Sequence, residues 1–163
     1  MTPFPSLRLK RVEQAIAGCP DRYFITLTSK WRMDDITWAE EVGKAIFRVN
    51  DRLYGPHFKR HGMRLQTMAV QERTRGGNLH THMLVGVPEG SLALKANPCP
   101  LPVPELIVST WIASHPQYRR ADGQDARDVY EFSGARSYIS KGLKTLTDFD
   151  NYDVLNTYAF IPD

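Results

Sequence analysis

The stretch MRLQTMAVQERTRGGNLHTHMLVGV, residues 63–87, reads as two strands and the turn that joins them. Residues 63–72 and 79–87 form the arms, and Thr74-Arg75-Gly76-Gly77-Asn78 forms the connection. The paired glycines supply the positive φ that a tight turn needs. With Gly76 at the centre of the turn, residues whose numbers sum to 152 face each other, which sets Glu72 opposite His80. Side chains alternate across a strand, so His80 and His82 share a face. Directly opposed residues also share a face, with Cβ atoms about 5 Å apart. Glu72, His80 and His82 therefore converge through the hairpin alone. Two imidazoles and a carboxylate suit a divalent ion with open positions, Mn²⁺ or Mg²⁺, with Zn²⁺ also compatible. The other histidines, His57, His61 and His115, fall in expected loops or helix ends and read as surface residues.

Outward from the hairpin, residues 22–29 (RYFITLTS) are aromatic and β-branched and predict a strand. Thr37, with Glu40 three residues on, has the spacing of a capping box at a helix start. Trp38, Val42, Ile46, Val49 and Leu53 follow at helical spacing, so one face of that helix is core, and Tyr54-Gly55-Pro56 ends it. Residues 88–104 carry five prolines and predict an irregular loop. A short helix over 105–114, a strand over 126–132 and a helix over 133–146 complete the pattern, before an acidic tail at 147–163. The sequence thus predicts an α+β fold, an antiparallel sheet with packed helices, with its core over about 22–146.

A chain of 163 residues fits one domain, 1–163. Hydrophobic residues at 42% and charged residues at 24% argue against long disorder. The N-terminus lacks a signal-peptide core, and no stretch approaches a membrane span. Cys19 and Cys99 have no CxxC or zinc-ligand spacing and read as reduced thiols, which makes the cytoplasm the expected compartment. The net charge of +3 is uneven: residues 1–88 hold 14 Lys+Arg against 8 Asp+Glu, whereas residues 89–163 hold 7 against 10. A basic first half suits a polyanion, because each neutralised phosphate releases counterions.

Within the expected helix over 133–146, Ile139, Leu143 and Leu146 make an apolar stripe. Tyr138 and Lys141 lie about 60° apart on an adjoining face. A phenol is almost fully protonated at pH 7, so its attack on a phosphodiester needs proton loss and a neighbour that stabilises negative charge. Lys141 is placed to be that neighbour.

Together these residues resemble the HUH endonuclease superfamily, in particular the single-tyrosine replication initiators of rolling-circle plasmids, phages and small single-stranded DNA viruses. Three motifs occur in the family's order. Phe24-Ile25-Thr26-Leu27-Thr28 resembles the first, Leu79-His80-Thr81-His82 the paired-histidine motif, and Tyr138-Ile139-Ser140-Lys141 the tyrosine motif. Glu72, eight residues before His80, resembles the extra carboxylate ligand of viral initiators. Thr81 departs from the pattern, since the family places a bulky apolar residue there. No GxxxxGK[ST] phosphate loop occurs, so the chain is expected to be either a stand-alone nuclease or the nuclease part of a longer protein, with a separate helicase as a candidate partner.

The resemblance implies a ferredoxin-like fold with the histidines on a central strand and Tyr138 on a facing helix. It implies a metal-dependent endonuclease that nicks and rejoins single-stranded DNA sequence-specifically at a replication origin, an unpaired loop or hairpin, through a 5′-phosphotyrosine, so initiating rolling-circle replication. For a chain of eukaryotic viral origin it implies the host nucleus. Lys10, Arg11, Arg64, Arg73, Arg75 and Lys144 are the candidate DNA contacts. A single-tyrosine transposase shares the histidines but commonly has glutamine where Lys141 stands. Relaxases usually have a third histidine ligand, and none suitable occurs here. A ferredoxin-like nucleic-acid-binding module without catalysis is the rival from another class.

Overall fold

The computed structural model describes residues 4–94, 98–130 and 152–159. In chain order these form α1 (Phe4–Ala17), β1 (Asp21–Thr28), α2 (Asp35–Tyr54), β2 (Gln66–Arg73), β3 (Leu79–Val87), α3 (Val103–Ser114), β4 (Asp125–Asp128) and β5 (Tyr152–Tyr158). The strands make one antiparallel sheet in the order β4-β1-β3-β2-β5. This is an α+β, ferredoxin-like arrangement, as the sequence predicts, and β3 with its two histidines is the central strand.

Period-two alternation sorts the strand residues onto two faces. Ile25, Leu27, Met83, Val85 and Val87 point to the face covered by α2 and α3, where they meet Trp38, Val42, Ile46, Ile107 and Trp111. Phe24, Met68, Val70 and Leu84 point to the opposite face and pack with Val12 and Ile16 of α1. Gly86 lies on that second face. A Cβ there would come within 2.7 Å of the Cys19 sulfur and 3.4 Å of the Ile16 Cα, so glycine lets the end of α1 settle on the sheet.

The predicted hairpin register holds, with Glu72 paired to His80 and Val70 to His82. Of the two turn glycines, Gly77 takes the positive φ of 84°. Thr81 lies fully buried on the α2 face, where its hydroxyl accepts a 2.7 Å hydrogen bond from the Trp38 indole. The polar residue in the paired-histidine motif thus has a partner beneath the sheet.

Several expected boundaries move. The first strand covers Asp21–Thr28 and the second Gln66–Arg73. The helix cap is Asp34, whose carboxylate accepts from the Thr37 amide at 2.8 Å and the Thr37 hydroxyl at 2.9 Å. Thr37 therefore lies inside α2, and the Thr37–Glu40 capping box does not form the helix start. Residues 88–104 are not wholly irregular: Ser91–Leu94 forms a 3-10 turn, and α3 begins at Val103 with a proline in its first turn. The strand expected over 126–132 is Asp125–Asp128.

Both ends of the chain correct the expected core of 22–146. Helix α1 packs on the sheet, and Tyr152–Tyr158, within the expected tail, is the strand beside β2. Asn156 of β5 donates to the Ala39 carbonyl of α2 at 2.8 Å, and Thr67 donates to the Asn156 carbonyl at 2.7 Å. The helix expected over 133–146, with Tyr138, Lys141 and Lys144, lies outside the described residues. Among the described residues, no helix is long and apolar enough to cross a membrane.

Candidate metal centre

The hairpin and the central strand bring Glu72, His80 and His82 together on the α1 side of the sheet. One potential ligand atom from each lies within 4.8 Å of the other two. Glu72 Oε2 is 3.0 Å from His80 Nε2 and 3.2 Å from His82 Nε2. Two donors bound at about 2.1 Å and roughly at right angles would lie about 3 Å apart, so this donor set fits one shared divalent ion. His82 is buried, whereas His80 and Glu72 are half-buried, so the cluster opens toward solvent at its outer end.

His82 is fixed from several sides. Its Nδ1 is 3.0 Å from the Thr26 hydroxyl, its ring stacks on Phe24 at 5.6 Å, and the His80 ring meets it edge-on at 4.7 Å. Burial lowers its pKa, with the His80 charge acting in the same sense and Glu72 opposing. Those influences favour the neutral ring that a metal ligand requires. Thr26 pairs with His82 across β1 and β3, so the strand register itself delivers the orienting hydroxyl. Thr26 stands within the first motif, but the sequence alone assigns it no role, because the strand that carries its partner is distant in sequence.

Tyr130, the tyrosine nearest to Tyr138 in sequence, lies beyond the end of β4 with 85% of its surface exposed. Its hydroxyl donates to the Asp128 carboxylate at 3.1 Å, and that bond together with the Asp128 charge raises its pKa. A phenolate at Tyr130 is disfavoured.

The candidate DNA contacts are scattered. Lys10 and Arg11 are exposed on α1, and Arg75 is exposed in the hairpin turn. Arg73 is exposed but engaged, donating to the Gly77 carbonyl at 2.8 Å and pairing with Asp35 at 2.5 Å. Arg64 is half-buried, with its guanidinium 4.0 Å from the Tyr158 ring centre and 5.7 Å from that of Phe58. Its packing ties β5 to the loop before β2.

No protein-family model matches the chain, and no curated protein matches it. Among solved structures, the chain is similar to the crystal structure of the hypothetical protein ORF119 from Sulfolobus islandicus rod-shaped virus 1. The two share 14% identity and a TM-score of 0.48, over 85% of this chain and 97% of that one.

Proposed function

We propose that this protein is a metal-dependent endonuclease that nicks and rejoins single-stranded DNA, the activity of a rolling-circle replication initiator. The observation that carries the reading is the convergence of Glu72, His80 and His82 on one exposed-ended patch of the central strand. Glu72, His80 and His82 would hold Mn²⁺ or Mg²⁺, which supplies Lewis-acid polarisation of a phosphodiester when bound. Thr26 and Phe24 hold His82 in position. The Thr26 hydroxyl can accept from a protonated Nδ1, which leaves Nε2 free to serve as ligand.

Tyr138, carried over from the tyrosine motif, is the proposed nucleophile. Its oxygen bonds to phosphorus as the bond to the 3′ oxygen breaks. The phenol proton is lost, the 3′ oxygen gains one, and the 5′ end remains as a phosphotyrosine. Lys141 stabilises the developing phenolate. A free 3′-hydroxyl attacking the phosphotyrosine reverses the step, so rejoining needs no nucleotide cofactor.

The test uses a pool of labelled oligonucleotides offered single-stranded or as relaxed duplex. Nicking of the single strands, abolished by EDTA and restored by Mn²⁺, is the expected result. Equal cutting of both forms, or full activity in EDTA, contradicts the reading.

A further inference from the structure

Beside the metal centre lies a cleft of about 350 Å³, and His80 lines both. Thr28 and His80 line it from the strands, and Lys30, Tyr118, Arg120 and Asp122 line it from the loops that form its rim. Three loops far apart in sequence close on it: the end of β1, the β2–β3 turn, and the stretch between α3 and β4. The last of these is pinned in place. The Lys30 amide donates to the Tyr118 carbonyl at 2.9 Å, and the Thr28 hydroxyl donates to the Gly123 carbonyl at 2.7 Å. A rim fixed before binding loses little freedom when a ligand enters.

The rim combines the two groups that hold an unpaired nucleotide. Tyr118 is 40% exposed, as is Trp31, and their rings lie 5.8 Å apart, with His115 edge-on to Trp31 at 5.1 Å. Exposed aromatic rings at a cleft mouth offer a stacking surface to a base of any sequence. Lys30 and Arg120 are exposed cations at the same rim. Arg120 pairs with Asp122 at 3.2 Å, but both side chains are largely solvent-facing, so a phosphate can displace that weak partner. The cleft volume falls within the range of small-molecule sites and admits one nucleotide.

We infer that this cleft receives one unpaired nucleotide of single-stranded DNA, with its base against Tyr118 and its phosphate between Lys30 and Arg120. The inference rests on the proposed DNA-nicking role. It adds that the strand leaves the metal centre across His80 and sets its neighbouring nucleotide here. The cleft thereby fixes which phosphate along the strand stands over Glu72, His80 and His82.

Trp31 makes the inference directly readable. Of the three tryptophans, Trp38 and Trp111 are fully buried, so a change in emission on binding at the cleft reports on Trp31. The protein is titrated in EDTA with oligothymidylate, with an abasic deoxyribose-phosphate oligomer of equal length, and with oligouridylate. Oligothymidylate should quench the emission and the abasic oligomer should not. Tyr118→Ala should weaken oligothymidylate binding about tenfold, with abasic binding changed less than about twofold. Arg120→Gln should weaken both in a salt-dependent manner. Trp31→Phe should abolish the quench while keeping most of the affinity, and circular dichroism checks that each variant is folded. Oligothymidylate binding that neither quenches Trp31 nor responds to Tyr118→Ala overturns the cleft while leaving the DNA-nicking role standing. Tighter binding of oligouridylate overturns the choice of DNA, and failure of wild type to bind any of the three overturns the cleft, whereas the nicking role falls only if the EDTA and duplex tests above fail.

Discussion

His82 is held at Nδ1 by the Thr26 hydroxyl and across its ring face by Phe24, and this restraint sets how the centre responds to substitution. His80→Ala removes a proposed ligand, and nicking should fall by at least roughly 100-fold under limiting Mn²⁺. Thr26→Val keeps size and removes the hydroxyl. Without that partner the ring can rotate or take the wrong tautomer, so Mn²⁺ affinity measured by calorimetry should drop about 10- to 100-fold. Thr26→Ser should restore most of it. Unchanged Mn²⁺ affinity in Thr26→Val would mean that Phe24 stacking alone orients His82. At this scale the clustering of Glu72, His80 and His82 was legible in the sequence, because hairpin pairing is local and His80-Thr81-His82 fixes its own face. The orienting residue was not legible, because Thr26 reaches His82 only through the pairing of β1 with β3, which are distant in sequence.

Helix α1 and the central strand meet at Gly86, where Cys19 and Ile16 occupy the space a side chain would need. Gly86→Ala should therefore destabilise the fold by about 1–3 kcal/mol, seen as a lower urea midpoint with an unchanged slope. Gly76→Ala is the control: a Cβ there meets only the Thr74 hydroxyl, at 3.8 Å, and stability should hardly move. Equal effects at the two glycines would contradict the close approach of α1. The same contrast explains which elements the sequence revealed. Helix α2 has an apolar stripe of five residues and was plain, although its start was misread because Asp34 rather than Thr37 caps it. Among the described side chains, helix α1 anchors to the sheet through Val12 and Ile16, and its partner strands β2 and β3 are distant in sequence. Strand β5 buries Asp153, Asn156 and Thr157, so polar residues occupy the positions where alternation would be sought. A register shift between Thr67 and Ala69 disturbs that alternation further.

Across the whole molecule, α2 and the loop after α3 are locked by one buried cation. Arg119 is fully buried, its guanidinium lies 3.5 Å from the Trp111 ring centre, and it pairs with Glu41 at 3.1 Å. Glu41 also accepts from His115 at 3.1 Å and from Lys44 at 2.9 Å. Burial pushes the Glu41 pKa up, but the hydrogen bonds and charges of Lys44 and Arg119 outweigh it and hold the pKa below its ordinary value. A carboxyl depressed in the folded state contributes stability above its unfolded pKa and loses it as pH falls through the folded one. Glu41→Gln should cost about 3 kcal/mol at neutral pH, because Arg119 is left buried without its counter-charge. The gap from wild type should narrow as pH falls below the ordinary carboxylate range, measured by urea titration at each pH. A gap that stays constant with pH would show that Glu41 acts by packing alone. This lock stands at the rim of the cleft beside His80, since Tyr118 and Arg120 flank Arg119, so core packing and the proposed DNA path share one loop.

The chemistry proposed for that path has a polarity that one labelling measurement reads. Single-stranded oligonucleotides carrying a 3′-end label are incubated with the protein and Mn²⁺, and the products are resolved under denaturing conditions. Attack by Tyr138 with release of a 3′-hydroxyl predicts that the 3′ label migrates with the protein, while a 5′ label stays on a free fragment. The adduct should vanish in Tyr138→Phe and persist in Tyr130→Phe, and peptide mass spectrometry should find the nucleotide on the Tyr138 peptide. Nicked DNA with no covalent product, an adduct carrying the 5′ label, or a nucleotide on Tyr130 would contradict the account.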